Sequence, residues 1–185
     1  MTKIVWLASI FFVFQTVQAA SSGTGELEPI FGYERVQKLV PTPHTKDRLI
    51  YGLRYSLGVP LLSAEAEYTR GMDQESFPTS NLDTKDTADR LKVGIRSRVR
   101  MGSFLSAFAR AGGEAYRNVH EDTVSGTTTR TEQPIKYSPY AGAGLNARLG
   151  KQFTLNAGLT VVFRNFPVMT QNDYQATAGF TVKFP

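Results

Sequence analysis

The sequence predicts an all-β fold, an eight-stranded antiparallel up-and-down transmembrane β-barrel with short turns at one end and longer loops at the other. Three observations point there. Apolar residues recur at every second position through most of the chain, short and long connections alternate, and no apolar run beyond residue 19 is long enough to cross a bilayer as a helix. The stretch YAGAGLNARLGKQFTLNAGLTVVF, Tyr140 to Phe163, shows the first most clearly. Ala141, Ala143, Leu145, Ala147 and Leu149 alternate with Gly142, Gly144, Asn146 and Arg148, and after a Gly-Lys-Gln break Phe153, Leu155, Ala157, Leu159, Val161 and Phe163 alternate with Thr154, Asn156, Gly158 and Thr160. Successive side chains of a strand point to opposite faces, so this is a hairpin with one apolar and one polar face.

The N-terminus has the form of a secretory signal peptide over residues 1–19. Lys3 supplies the positive end, Ile4 to Val17 an apolar run, and Val17 and Ala19 the small residues before the cut. Residues 20–29, including SSGTGELEP, read as a flexible lead, and residues 30–184 as one barrel domain. The chain has no cysteine, so disulfides do not stabilise it, and its one tryptophan, Trp6, lies in the leader.

Eight strands are expected at about 30–40, 47–58, 61–70, 88–100, 104–117, 136–149, 153–164 and 173–184. The connections between them run medium (PTPHTK), tight (VP), long (GMDQESFPTSNLDTKDT), tight (MGS), long (NVHEDTVSGTTTRTEQP), tight (GKQ) and medium (NFPVMTQN). All tight turns therefore fall at one end, the periplasmic end of an outer-membrane barrel. A two-residue turn at Val59-Pro60 reverses face parity and sets Arg54 opposite Glu65. Across the three-residue turns MGS and GKQ parity is kept, so Arg96 and Arg98 share a face with Arg110 and Glu114. Phe104 and Phe108 fall on that same inward face, and the first strand has charges on both parities.

One face is thus apolar with aromatics near the strand ends, and the other carries charge of both signs among Gly, Ser, Thr and Asn. Charges that must satisfy one another suit a narrow barrel interior, and aromatic belts around an aliphatic band suit a bilayer. The expected interior network comprises Arg54, Glu65, Glu67, Arg96, Arg98, Arg110, Glu114 and Arg148, with basic residues in excess. The final segment YQATAGFTVKFP, with Tyr174, Phe180 and Phe184 on one face, resembles the C-terminal strand of bacterial outer-membrane proteins, except that Pro185 follows the terminal aromatic. With the leader and the eight-strand plan, the chain resembles small eight-stranded outer-membrane barrels of the OmpA and OmpX type. That resemblance implies a monomer in the outer membrane of a Gram-negative bacterium, with outer-membrane lipid, lipopolysaccharide and the assembly machinery as partners.

Little in the sequence points to catalysis. His44-Thr45-Lys46 and His120-Glu121-Asp122 lack the His-x-Ser step of outer-membrane deacylases, and Asp83, Asp86 and Asp89 read as loop charges. No ligand spacing suggests a metal, and no cofactor is expected. The formal charge of +5 has no aromatic-basic module with it, which excludes nucleic acid. Lys46, Arg70, Arg117, Arg130, Lys136 and Arg164 gather near the external rim as candidate contacts for lipopolysaccharide phosphates. The expected role is non-enzymatic: envelope structure, surface contact or adhesion. The alternatives are a narrow ion-conducting channel and a soluble periplasmic lipocalin-like barrel, which would carry its apolar face inward.

Overall fold

The computed structural model describes residues 24–38, 44–78, 82–124, 126–150, 153–165, 168 and 171–184. The leader read at residues 1–19 lies outside them, as do Lys151, Gln152 and Pro185. Nine strands follow in order: β1 (Thr24–Lys38), β2 (His44–Val59), β3 (Leu62–Phe77), β4 (Leu82–Arg100), β5 (Leu105–Val124), β6 (Thr127–Glu132), β7 (Lys136–Arg148), β8 (Phe153–Val162) and β9 (Asp173–Phe184). All pairings are antiparallel. β1 to β5 pair in succession, β7 pairs with β5, β8 with β7, and β9 with β8 and then with β1, which closes a ring of eight. β6 bonds to β5 beyond the end of β7 and stands outside the ring. Closure leaves no strand edge around the ring, the condition for β-structure in a medium that cannot hydrogen-bond the backbone.

The alternation read from the sequence becomes an inside and an outside. Phe31, Leu49, Leu53, Leu91, Val93, Ile95, Leu145, Leu155, Leu159 and Phe180 are all exposed, whereas Glu28, Glu34, Arg54, Glu65, Glu67, Arg90, Lys92, Arg96, Arg110 and Glu114 are buried. A protein core is built the other way round. The outer wall needs lipid tails as its solvent, and the lumen is filled by side chains, as eight strands require.

Several details differ from the sequence reading. β1 begins at Thr24, so residues 24–29 belong to the barrel and are not a flexible lead. With this start its faces resolve, placing Glu26, Glu28, Ile30 and Glu34 inside and Phe31 and Tyr33 outside. The β2–β3 turn closes on Val59 and Leu62 around Pro60 and Leu61, which moves the register by two residues, so Arg54 faces Glu67 and Ser56 faces Glu65. Parity is unchanged, which is why the inward set survives the shift. The β4–β5 turn also moves, with the Met101 amide donating to the Leu105 carbonyl at 3.0 Å. Phe104 then lies in the turn, 56% exposed, and only Phe108 is inside. The β7–β8 turn keeps the expected register, with Arg148 opposite Thr154.

The second and third external connections are mostly strand. β3 and β4 stay paired up to Phe77 and Leu82, β4 and β5 up to Leu82 and Val124, and β5 folds back on β6. Gly126 begins that return at φ +85°, a conformation glycine adopts without the clash of a Cβ.

Ile95 lies midway along the outward face of β4, between Leu91 and Val99. Ile95→Arg is expected to lower stability by about 2 to 4 kcal/mol in urea titrations of vesicle-refolded protein, whereas Ile135→Arg, above the lipid band, is expected to cost under about 1 kcal/mol.

Candidate functional site

The lumen is built by register. Glu67 on β3 faces Arg54 across the β2 ladder and Lys92 across the β4 ladder, so period-two alternation delivers three charges to one point. Glu67 accepts from Arg54 Nη2 at 2.6 Å, from Lys92 Nζ at 2.7 Å and from Arg110 Nη1 at 2.5 Å. Glu65, one pleat toward the tight turns, accepts from Arg110 Nη1 at 2.8 Å and lies 3.6 Å from Arg54. The expected pair of Arg54 and Glu65 therefore exists as a secondary contact, and Glu67 is the hub.

The first strand supplies the carboxylates that balance the basic residues. Glu28 accepts from Arg54 at 2.8 Å and from Arg96 at 3.1 Å, and Glu26 accepts both terminal nitrogens of Arg98 at 2.9 and 2.6 Å. Toward the external end Glu34 accepts from Arg48 Nε at 2.6 Å and lies 2.7 Å from Arg90. Gln175 on β9 joins the two layers, accepting from Lys92 and donating to Glu34, each at 2.7 Å. None of Glu26, Glu28, Glu34, Arg48 and Gln175 was assigned to the network from the sequence. Glu26 and Glu28 were hidden by the late start given to the first strand, Glu34 lay in a strand whose charges fall on both parities, and an amide with no charge gives no signal.

Aromatic rings and glycines complete the packing. Arg96 stacks over Phe108 with 4.0 Å to the ring centre, and Arg90 and Arg164 stack on Tyr116 at 4.7 and 4.5 Å. A Cβ at Gly144 or Gly158 would come within 2.5 or 2.9 Å of the Phe108 ring, and one at Gly94 within 2.5 Å of the Tyr140 hydroxyl. The inward glycines thus make room for rings as well as for arginines; a Cβ at Gly142 would meet the Leu159 carbonyl and the Thr160 hydroxyl at 2.8 Å and the Arg110 Nε at 3.2 Å.

Two residues exchange places relative to the sequence reading. Arg148 is exposed at the tight-turn end, with no ion pair among the described residues, because its inward parity falls past the point where the lumen closes. Arg164, expected at the rim, folds into the external mouth, where it donates to Glu114 at 2.6 Å, Asp173 at 2.8 Å and Ser138 at 3.1 Å. The backbone amide of Arg164 is held by the Asn172 side chain at 3.0 Å.

The remaining rim cations are largely spoken for. Lys46 lies 3.0 Å from Glu75, Arg70 donates to Asp89 at 2.7 and 3.0 Å, Arg117 lies 3.7 Å from Asp89, and Arg130 donates to Glu132 at 3.0 Å. Lys136 is exposed and has no ion pair among the described residues. Over the mouth sits a second cluster, in which Lys38 bridges Asp73 at 2.7 Å and Asp86 at 2.8 Å, and His120 Nδ1 meets Asp86 at 2.7 Å. Burial disfavours the Lys38 ammonium, but Asp73 and Asp86 outweigh it and lift its pKa to about 12. Burial pushes the Asp86 and Glu75 carboxyls up, and their cationic neighbours more than reverse this: Lys38 and His120 at Asp86, and Lys46, Lys38 and His44 at Glu75. Both carboxyls end below their usual range.

Known structures share this fold. No protein-family model and no curated protein matches the chain. Neisserial surface protein A is similar with a TM-score of 0.62 at 12% identity, over 86% of this chain and 97% of that one. The attachment invasion locus protein Ail of Yersinia pestis, in complex with the heparin analogue sucrose octasulfate, is similar with a TM-score of 0.61 at 13% identity, over 89% and 100%. The N-terminal β-barrel domain of Pseudomonas aeruginosa OprF gives 0.55 at 14%, over 88% and 100%. The chain is a transmembrane barrel with the architecture of small eight-stranded outer-membrane proteins.

Removing one member of a buried ion pair typically costs about 3 to 5 kcal/mol. Glu67→Ala is expected to fall in that range and to exceed Glu65→Ala, and Arg54→Ala combined with Glu67→Ala is expected to lose less than the sum of the singles in a urea double-mutant cycle. Additive losses would show that the two side chains do not meet.

The cluster over the mouth sets a pH window. Asp86 and Glu75 have lowered pKa values, so their contribution is complete above the ordinary carboxylate range and is lost as pH falls through the folded values. Lys38 has a raised pKa, so its contribution is complete below the ordinary lysine value and is lost as pH rises through about 12. Protection factors of the amides near Lys38, Glu75 and Asp86, taken relative to the intrinsic exchange rate at each pH, are expected to fall at acidic pH before those of the lumen strands.

Proposed function

We propose that the chain is a non-enzymatic integral barrel of the outer membrane of a Gram-negative bacterium, with a surface-contact role carried by its external sheet. The observation behind this reading is the continuation of β3, β4, β5 and β6 as one paired sheet beyond the lipid-facing band, above a lumen filled with paired charge. A filled lumen does not favour the channel alternative, and an apolar outer wall does not favour the soluble lipocalin-like one. His120 supports the non-enzymatic reading, because its two ring nitrogens meet the carboxylates of Asp86 at 2.7 Å and Asp122 at 2.9 Å, leaving neither for a nucleophile.

The charge of the external sheet narrows the partner. Asp73, Glu75, Asp83, Asp86, Asp89, Glu121, Asp122 and Glu132 outnumber Arg70, Lys85, Arg117 and Arg130 on these strands, and still do so when Lys38 and Lys46, which reach Asp73, Asp86 and Glu75 from β1 and β2, are included. Ail was crystallised with a sulfated heparin analogue; an acidic sheet instead suits a basic surface, since complementary potentials steer encounter and like charges oppose it. Bacteria displaying the full chain are expected to adhere to polylysine-coated glass more than to heparin-coated glass. The triple substitution Asp83→Asn, Glu121→Gln, Asp122→Asn is expected to reduce polylysine adhesion severalfold. A preference for heparin, or adhesion unchanged by the substitutions, would overturn this reading.

A further inference from the structure

The outer wall is not uniform. The outward residues of β5 include Ala107, Ala109, Ala111, Gly113 and Ala115, small side chains with no bulk to meet lipid. In the external half this strip becomes a groove of about 520 Å³, lined by Leu91 and Val93 of β4, Gly113 and Ala115 of β5, and Tyr137 and Pro139 of β7. Register explains the shape: Ala115 lies between Leu91 and Tyr137, and Gly113 between Val93 and Pro139. The floor is therefore backbone and one methyl group, and the walls are an aliphatic pair on one side and a tyrosine, 79% exposed, on the other. A Cβ placed at Gly113 meets nothing within 4 Å, so the floor is open toward the lipid.

The head of the groove is cationic. Arg117 follows Ala115 on the same face of β5, about 7 Å further along the strand. Its side chain is 48% exposed and lies 3.7 Å from Asp89, a carboxylate already taken by Nε and Nη2 of Arg70 at 2.7 and 3.0 Å. Two guanidinium groups share one carboxylate, which leaves a positive charge directly above an apolar trough. The trough is one strand wide, with its floor on β5 and its walls on β4 and β7. A second barrel presents a convex wall that meets the Tyr137 ridge before it can reach the floor, whereas a single hydrocarbon chain can lie against Gly113.

We propose that this groove seats one acyl chain of a lipopolysaccharide molecule in the external leaflet, with a phosphate of the same lipid on Arg117. Guanidinium groups suit phosphate in shape and charge, and hydrocarbon buried against Leu91, Val93 and Tyr137 supplies the apolar contact. The inference rests on the outer-membrane placement above and is independent of what the external sheet contacts.

The test is native mass spectrometry of the full-length chain extracted from outer membranes in mild detergent. The wild-type barrel is expected as a monomer carrying one lipopolysaccharide. Gly113→Leu fills the floor and is expected to lower the loaded fraction about tenfold, and Arg117→Gln is expected to lower it while leaving the floor intact. Gly102→Leu, in the tight turn at the far end where a Cβ also meets nothing within 4 Å, is expected to leave loading unchanged. Heat-modifiability on a gel establishes that each variant is folded. A bare wild-type monomer, equal loading of Gly113→Leu, phospholipid in place of lipopolysaccharide, or a dimer that Gly113→Leu dissolves would each overturn the proposal. Loss of the groove with polylysine adhesion intact would leave the surface-contact reading standing, whereas failure to recover the chain with outer membranes would remove both.

Discussion

The rest of the structure depends on the mutual neutralisation of charge in a space that excludes water. Arg54, Lys92, Arg96 and Arg110 could not be buried singly, since an unpaired charge in a low-dielectric interior costs several kcal/mol. Glu28, Glu65 and Glu67 make their burial possible, and they can do so only if β1, β2, β3, β4 and β5 hold one register. Replacing a buried ion pair with apolar residues is often neutral for stability, so the network is better understood as a device for specifying register than as a source of net energy. An outer wall of alternating aliphatics would tolerate a slip of two residues. The lumen would not, because such a slip takes Glu67 from its place opposite Arg54 or Lys92 and breaks up the hub.

The overall plan was legible because it rests on periodicity and on the order of turn lengths, which survive local error. The β2–β3 turn was placed one residue too early, and the register moved by two residues without exchanging inside and outside. The fate of individual charges was less legible. Arg148 and Arg164 have the right parity or the right neighbourhood on paper, but height along the barrel axis decides which one reaches the lumen, and period-two alternation carries no height. The basic excess expected of the interior vanished once Glu26, Glu28 and Glu34 joined it. The alternation in GELEPIFGY was available to extend the first strand, but Gly25 and Pro29 made the segment resemble a linker. Pro29 has no amide to donate, and the β1–β9 pairing is interrupted at Glu28 and Pro29, between Leu27 opposite Val182 and Ile30 opposite Gly179.

The external connections show the same limit from the other side. Polar composition marked residues 71–87 and 118–134 as loops, but the alternation of Asp73 and Glu75 with Met72, Gln74 and Ser76 continues the ladder beyond the membrane. The Ser125-Gly126 step with threonines beyond it is a hairpin signal that the length of the segment obscured. With these strands paired, the acidic residues are held in a fixed array, and most rim cations are engaged by it. Arg117, sharing Asp89 with Arg70, keeps charge to spare beside an apolar groove.

The register of the lumen is tested most directly by the distance between Lys92 Nζ and the Glu67 carboxyl carbon, measured by heteronuclear dipolar recoupling in solid-state NMR of the barrel in lipid bilayers with labelled lysine and glutamate. The account predicts the strong coupling of a direct contact, as the 2.7 Å separation of Lys92 Nζ and Glu67 Oε1 requires. A folded barrel in which that coupling is absent would contradict the register on which the lumen is built.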